Sequence, residues 1–290
     1  MTERQETDKI GDELAAQRFG MLADIARELA GEVLFPTFFD AVLRLRKELQ
    51  DPNVTMRRVA QMVRLEPLIA AKLVRLANSV IYAAQGPVRD LPSAIQRLGL
   101  DAVRTTAMSV AMGEILHAKE MAAFASLAQS LWKHSVGCSA AARVLAHKLT
   151  RINAEEAMLA GLVHDLGAFY MLYRAAQYPE LRERPDTLRY LIMQWHEAIG
   201  VTLLETLGLP SEIAEASADH DHSRPVPEVP KTLADIVYIG NLLAGGYHVW
   251  LNYGCDTPTE EEVRSFREKY ANLLPEIEVV TNGMHAVLGN

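Results

Sequence analysis

Cys138 and Cys255 are the chain's two cysteines. That is too few for a disulfide scaffold, so reduced thiols are the expectation. Long apolar runs are also missing. Charged residues interrupt each one well before the roughly 18 residues a membrane-spanning helix needs, so no membrane segment is expected. Residues 1–9 are polar and mixed in charge, without the apolar core of a signal peptide, and a cytoplasmic protein is therefore expected. Positive charge is in deficit. Lys and Arg number 29 against 37 Asp and Glu, a formal net charge of −8. No whole-molecule field draws the chain to nucleic acid. Alternating strand patterns longer than a few residues are absent, as are tandem repeats.

What the chain has instead is apolar residues in helical register. Hydrophobic residues make up 49% of its 290 positions, ample for a large core in one or two domains. Leu14, Phe19, Leu22, Ile25, Ala26 and Leu29 recur at helical spacing over residues 11–30. Pro36 suits the first turn of a helix reaching about 48, and Asp51-Pro52-Asn53 breaks it. Thr55 can cap a helix over 56–64, and Pro67 opens another to about 77. Ser93-Ala94-Ile95-Gln96 has capping-box spacing; Gly99 ends that short helix and Asp101 can cap the next. Residues 121–149 read as one long helix, 154–163 as another, followed by 187–207, 211–218, 231–244 and 260–271. The segment 277–288 is ambiguous, since Val279-Val280-Thr281 is β-branched. The Pro-rich stretch 223–230 reads as a loop within the array, and a weak boundary falls near 113–121. The fold class expected is all-α.

The residues with chemistry to offer are His134, His164, Asp165, His196, His220, Asp221 and Asn241. His164-Asp165 ends the apolar helix of Ala160-Gly161-Leu162-Val163 and is followed by Leu166-Gly167. Adjacent residues on a helix point about 100° apart, so both face one ion only near a helix end. Imidazole nitrogen with carboxylate oxygen suits Zn, Mn or Fe. Each histidine alone reads as a hydrogen-bonded core residue; the set, each member at the edge of an apolar helix, reads about equally as structural core residues or as a metal site. His117, His147, His222, His248 and His285 read as ordinary surface or loop residues. Cys138, one turn from His134, reads as a buried inert thiol rather than a ligand. Asn78-Ser79, after an apolar helix, reads as a C-terminal cap or turn, and Gly99 as a backbone requirement.

The order of several segments resembles the HDOD family, relatives of the HD and HD-GYP phosphohydrolases. These are Leu34-Phe35-Pro36; Glu66-Pro67-Leu68 before Lys72-Leu73-Val74-Arg75-Leu76-Ala77-Asn78-Ser79; Ser93-Ala94-Ile95-Gln96-Arg97-Leu98-Gly99; Leu131-Trp132-Lys133-His134-Ser135; Gly161-Leu162-Val163-His164-Asp165-Leu166-Gly167; and Leu209-Pro210 before His220. The resemblance implies a multi-helix bundle of HD-like type with an N-terminal helical subdomain. The division it suggests is an extension at 1–31, the HDOD domain at 32–250 (a helical part at 32–118 and an HD-like part at 119–250), and a helical tail at 251–290.

By the same resemblance His134 matches the first HD metal ligand, His164 and Asp165 the doublet, and His196 and His220 the further histidine ligands. Asn241 stands where a terminal Asp ligand is expected. A neutral amide oxygen is the weaker ligand and supplies no charge to offset a cation. Ala168 replaces the Lys after the doublet, Ser130 stands where a Glu would hold an extra metal, and the Gly-Tyr-Pro loop is missing, Gly245-Gly246-Tyr247 not matching it. Asp235 could replace the lost ligand only in a shifted register.

The resemblance therefore implies a degenerate site in a non-catalytic signalling module that acts through protein interaction or ligand sensing. A divalent Mn, Fe or Zn ion is the cofactor to look for, a signalling protein the partner, and a nucleotide the small ligand. The alternative is a metal-dependent phosphohydrolase or phosphodiesterase on a nucleotide or cyclic dinucleotide. A third reading is DNA binding by 55–76, which has helix-turn-helix rhythm and carries Arg57, Arg58, Arg64, Lys72 and Arg75. Against it stand the net charge and a bland account of those residues as a solvated face over Val59, Met62, Leu73 and Leu76. The N-terminal extension is expected to pack on the bundle or on a partner.

Overall fold

A computed structural model describes residues 12–30, 39–49, 51, 53–82, 86–225, 228–245 and 257–288. The motif Leu34-Phe35-Pro36, the segment Gly246-Tyr247, His248 and Cys255 lie outside these residues. Among the described residues every regular element is helical, so the fold is all-α. In chain order these are α1 (Asp12–Ala30), α2 (Asp40–Leu49), α3 (Met56–Val63), α4 (Pro67–Ala77), α5 (Leu91–His117), the 3-10 helix Lys119–Phe124, α6 (Ala125–Leu149), α7 (Ala154–Val163), α8 (Leu166–Ala175), α9 (Pro179–Glu183), α10 (Pro185–Thr206), α11 (Ser211–Ala216), α12 (Leu233–Ala244), α13 (Glu260–Lys269) and α14 (Leu274–Leu288). No helix among them is long and apolar enough to cross a membrane.

α6 is the central post, packed against α7, α12 and α14. Its buried run Ser135-Val136-Gly137-Cys138-Ser139-Ala140-Ala141-Ala142 is built of small residues. Small side chains let neighbouring backbones come close. A Cβ at Gly161 of α7 would stand 2.9 Å from the Cys138 carbonyl oxygen. α8 and α10 form a second close pair, and the buried apolar side chains join into one continuous core reaching from Met21 of α1 to Leu288 of α14. α1 docks through buried Met21 and Ile25 and through Glu28, which accepts from the Tyr170 hydroxyl and pairs with Arg174. Phe19 of the same helix is exposed.

Several sequence expectations need correction. α5 starts at Leu91, and its cap is Asp90, which accepts from the Ser93 backbone at 2.8 Å; Ser93 is therefore not the cap. Gly99, with φ of 81°, does break the helix, because only glycine takes that conformation cheaply. The Asp101 carboxylate turns to Arg104 and to the Asn153 amide. The long helix expected from 121 is interrupted, with the 3-10 helix ending at Phe124 before α6 begins. α8 and α9 were not foreseen, and the ambiguous terminal segment is helical. There burial of Ile277, Val280, Met284, Val287 and Leu288 on one face outweighs β-branching.

The helix-turn-helix rhythm of α3 and α4 exists, but three of its five basic residues have internal work. Arg58 pairs with Glu48 and Asp51, while Lys72 and Arg75 donate to the Leu288 and Ala286 carbonyl oxygens at the end of α14. Asn78 caps the end of α4. Its amide donates to the Val74 carbonyl at 3.0 Å and the Val88 carbonyl at 2.8 Å, and its oxygen accepts from the Val88 N–H at 2.8 Å. The Ser79 hydroxyl donates to the Leu76 carbonyl at 2.7 Å.

Candidate metal centre

Five separate stretches of the chain deliver one cluster. α6 carries His134 and α10 carries His196. His164 closes α7 and Asp165 opens α8, so the helix is broken between the doublet and both side chains can face inward. His220 and Asp221 follow α11, and Asn241 lies in α12. Asp219, in the left-handed region at φ 53°, turns the chain just before His220. His164, Asp165, His196, His220, Asp221 and Asn241 are all buried. Close helix approach makes this possible. A Cβ at Gly167 would fall 2.0 Å from the His196 carbonyl oxygen and 2.6 Å from the Gly200 nitrogen, so glycine at 167 is what lets α8 reach α10.

The imidazoles share one arrangement. Nδ1 of His134 donates to the Gly245 carbonyl at 2.6 Å, of His164 to Gly161 at 2.9 Å, of His196 to Ile192 at 2.8 Å and of His220 to Ser217 at 2.8 Å. A carbonyl oxygen only accepts, so each Nδ1 carries a proton, and each ring when neutral, as metal binding requires, presents an Nε2 lone pair. The four Nε2 atoms converge. His134 and His164 face each other at 3.3 Å, His196 and His220 at 3.4 Å. Asp165 lies between the pairs. Oδ2 stands 3.3 Å from His164 Nε2 and 3.8 Å from His134, while Oδ1 stands 3.3 Å from His220 and 3.7 Å from His196.

Asp221 adds a second carboxylate, with Oδ2 3.4 Å from His196 Nε2 and Oδ1 3.8 Å from His220 Nε2. Asn241 supports it: its amide donates to Asp221 Oδ1 at 3.0 Å and to the His220 carbonyl at 2.9 Å, leaving its buried oxygen without a hydrogen-bond partner. Glu197, next to His196 in α10, accepts from the Asp221 N–H at 3.0 Å and lies 3.5 Å from His220 Nδ1.

The electrostatics follow from burial against these charges. Burial opposes a charge on His220, but Asp221, with Asp165 and Glu197, outweighs it and pushes the imidazole up to about 10. Burial likewise opposes His196, and the hydrogen bond and charge of Asp221 raise it. His164 is held down by burial despite Asp165. Burial acts against ionised Asp165 and Asp221, yet the surrounding imidazoles hold both below the usual carboxylate range. The site thus strongly favours a positive charge at its middle.

The donor set fits a divalent cation. Opposed Nε2 lone pairs, orienting carbonyls behind each ring and an orphaned amide oxygen are what a metal centre with its outer hydrogen bonds requires. His134, His164 and Asp165 form one ligand group, and Asp165, His196 and His220 another. Sequence reasoning missed Glu197 altogether and named Asp221 without a role. The signal was available: His220-Asp221 is a second His-Asp doublet, and His196-Glu197 pairs an imidazole with an acid in the same way. Asp235 takes no part, since its carboxylate accepts from the Thr232 and Lys231 backbones as the cap of α12.

The HDOD domain model matches residues 35–223. The chain belongs to the HDOD domain family. The match stops short of α12, so Asn241 lies beyond the matched segment. The HDOD chain is similar in structure to a candidate metal-dependent phosphohydrolase from Shewanella amazonensis SB2B, with a TM-score of 0.70 and 21% identity, covering 94% of this chain and all of that one. It is also similar to an HDOD domain protein of unknown function from Geobacter sulfurreducens, with a TM-score of 0.60 and 20% identity over 94% of this chain and 99% of the other. These similarities speak for the fold alone. An uncharacterized protein of Treponema pallidum (strain Nichols) is 22% identical over 244 residues, 79% of this chain and 45% of that protein. The chain thus spans under half the length of this curated relative.

Proposed function

We propose that this HDOD chain is a bacterial signalling module built around a buried divalent-metal centre, passing its state to a protein partner through its helical surface. Residues 32–250 form the module, and 1–31 and 251–290 are flanking helical segments. The observation that carries the reading is the tautomer pattern: four rings pinned through Nδ1 aim four Nε2 lone pairs at one buried carboxylate. His134, His164, Asp165, His196 and His220 are the candidate ligands, in two groups that share Asp165, with Asp221 supplying charge and Asn241 and Glu197 orienting it. Mn, Fe or Zn matches this mixture of nitrogen and oxygen donors. Met56, Leu65 and Leu68 stand exposed around α3 and α4 and offer apolar surface for a partner.

Metal analysis of the purified protein tests the reading. Stoichiometric Mn, Fe or Zn supports it; protein that stays empty after incubation with each ion sinks it.

The second reading is a phosphohydrolase or phosphodiesterase on a nucleotide or cyclic dinucleotide, and one observation favours it. Asp221 brings to the cluster the carboxylate that Asn241 lacks. A divalent ion there supplies Lewis-acid polarisation of a phosphoryl oxygen. Phosphate charge needs stabilising as well, and Ala168, buried among apolar residues, stands where the expected Lys would be. The regulatory reading is therefore preferred. Turnover of cyclic di-GMP or a nucleoside phosphate by Mn- or Fe-loaded protein would reverse that preference.

A further inference from the structure

The two halves of the cluster are unequal. Both use Asp165, which turns one oxygen to each half. Among the described residues, no other carboxylate comes within ion-pair range of His134 or His164. His196 and His220, by contrast, have Asp221 at 3.4 and 3.8 Å. Asn241 leans the same way, spending its amide on Asp221 and on the His220 carbonyl. Glu197 adds its carboxylate behind His220.

Charge then decides occupancy. Removing a divalent ion from water into a buried site is costly unless nearby carboxylates offset it. Asp165 and Asp221 offset one such ion. A second ion would add two positive charges facing His134 and His164, with only the shared Asp165 in reach. That half has no second carboxylate to offset such a charge.

We propose that the centre is a one-ion site: a single divalent cation resides in the Asp165–His196–His220 half beside Asp221, and the His134–His164 half holds no resident metal. This rests on the metal-centre reading above. It also weighs against the phosphohydrolase reading, because a lone ion cannot clamp both the attacking and the leaving oxygen as paired metals do.

The test is metal content after loading with excess Mn, Fe(II) or Zn and gel filtration, on the full chain and four variants. The expected result is one equivalent in the unaltered protein, one equivalent in His134→Gln and in His164→Gln, and loss of metal in His196→Gln. Asp221→Asn, which keeps the side-chain shape, should weaken binding by about 10- to 100-fold. If His196→Gln fails to fold by circular dichroism, Asp221→Asn alone decides, helped by the visible spectrum of Co(II)-loaded protein, which should change in that variant and not in His134→Gln. Two equivalents in the unaltered chain overturn the one-ion proposal and leave the metal reading standing. So does one equivalent that is lost in His134→Gln and kept in Asp221→Asn. No metal at all in the unaltered chain overturns both.

Discussion

Two asparagines, Asn78 and Asn241, separate structural from chemical polarity in this molecule. Asn78, at the end of α4, uses both ends of its amide on nearby backbone, tying residues 74, 78 and 88 together. Asn241, deep in α12, spends its amide N–H groups on the histidine cluster and leaves its oxygen orphaned. A polar side chain that closes its own hydrogen bonds shapes a loop. One that leaves acceptors converging in a buried place waits for a ligand, because an unsatisfied buried group costs about 1–3 kcal/mol. The same contrast holds for the regions around them. At the corner of α3 and α4, Arg58, Glu66, Lys72 and Arg75 have ordinary partners, whereas the cluster concentrates imidazole nitrogens around two buried carboxylates.

The strongest way to break this contrast is at Gly167, where packing creates the cluster. Gly167→Ala places a Cβ onto the His196 carbonyl. It should destabilise by more than about 4 kcal/mol in urea titration and strip metal with it. A variant that folds normally and keeps its metal would show that helix approach does not build the site.

Next comes Asn241→Asp. A carboxylate there loses the N–H donated to Asp221 and faces it as a like charge. The metal-free protein should lose about 3–5 kcal/mol, and added Zn or Mn should restore most of it, as read by thermal melts with and without chelator.

Protonation gives a third handle. In metal-free protein His220 is raised to about 10, above its unfolded value near 6.5. Its protonated form therefore adds stability that is complete below about 6.5 and fades as pH climbs through 10. Between pH 7 and 10 the chelated protein should melt lower with rising pH, and His220→Gln should show less of that slope. An equal slope in both would assign the effect to other groups.

Asn78→Ala should cost about 1–3 kcal/mol and leave metal content unchanged; loss of metal would erase the distinction between the two asparagines. The smallest effect belongs to Leu65, 80% exposed on the turn between α3 and α4. Leu65→Ser should move stability by less than about 0.5 kcal/mol while weakening binding of a partner that uses this corner.

Much of this was legible along the chain. Residues 56–63, 67–77 and 154–163 form helices close to where apolar spacing and caps predict them. α8 was not legible, because a helix buried nearly all round, such as Leu166-Gly167-Ala168-Phe169-Tyr170-Met171-Leu172, shows no polar face to reveal its period. The histidines could be picked out by type and order. The role of Asp221 could not, since one residue of register separates a surface acid from one turned inward by the left-handed step at Asp219.

The order of apolar and polar residues determined by itself that this chain is helical, that it belongs with the HDOD proteins, and which imidazoles to watch. Hydrophobic periodicity and local capping act over a few residues, so they survive in a linear reading. Only the tertiary structure decided which nitrogen of each ring is free, which acid stands beside which pair, and that the cluster divides into a charged half and a poor one. Those properties depend on distances between helices far apart in sequence, set by where glycine and alanine let backbones touch.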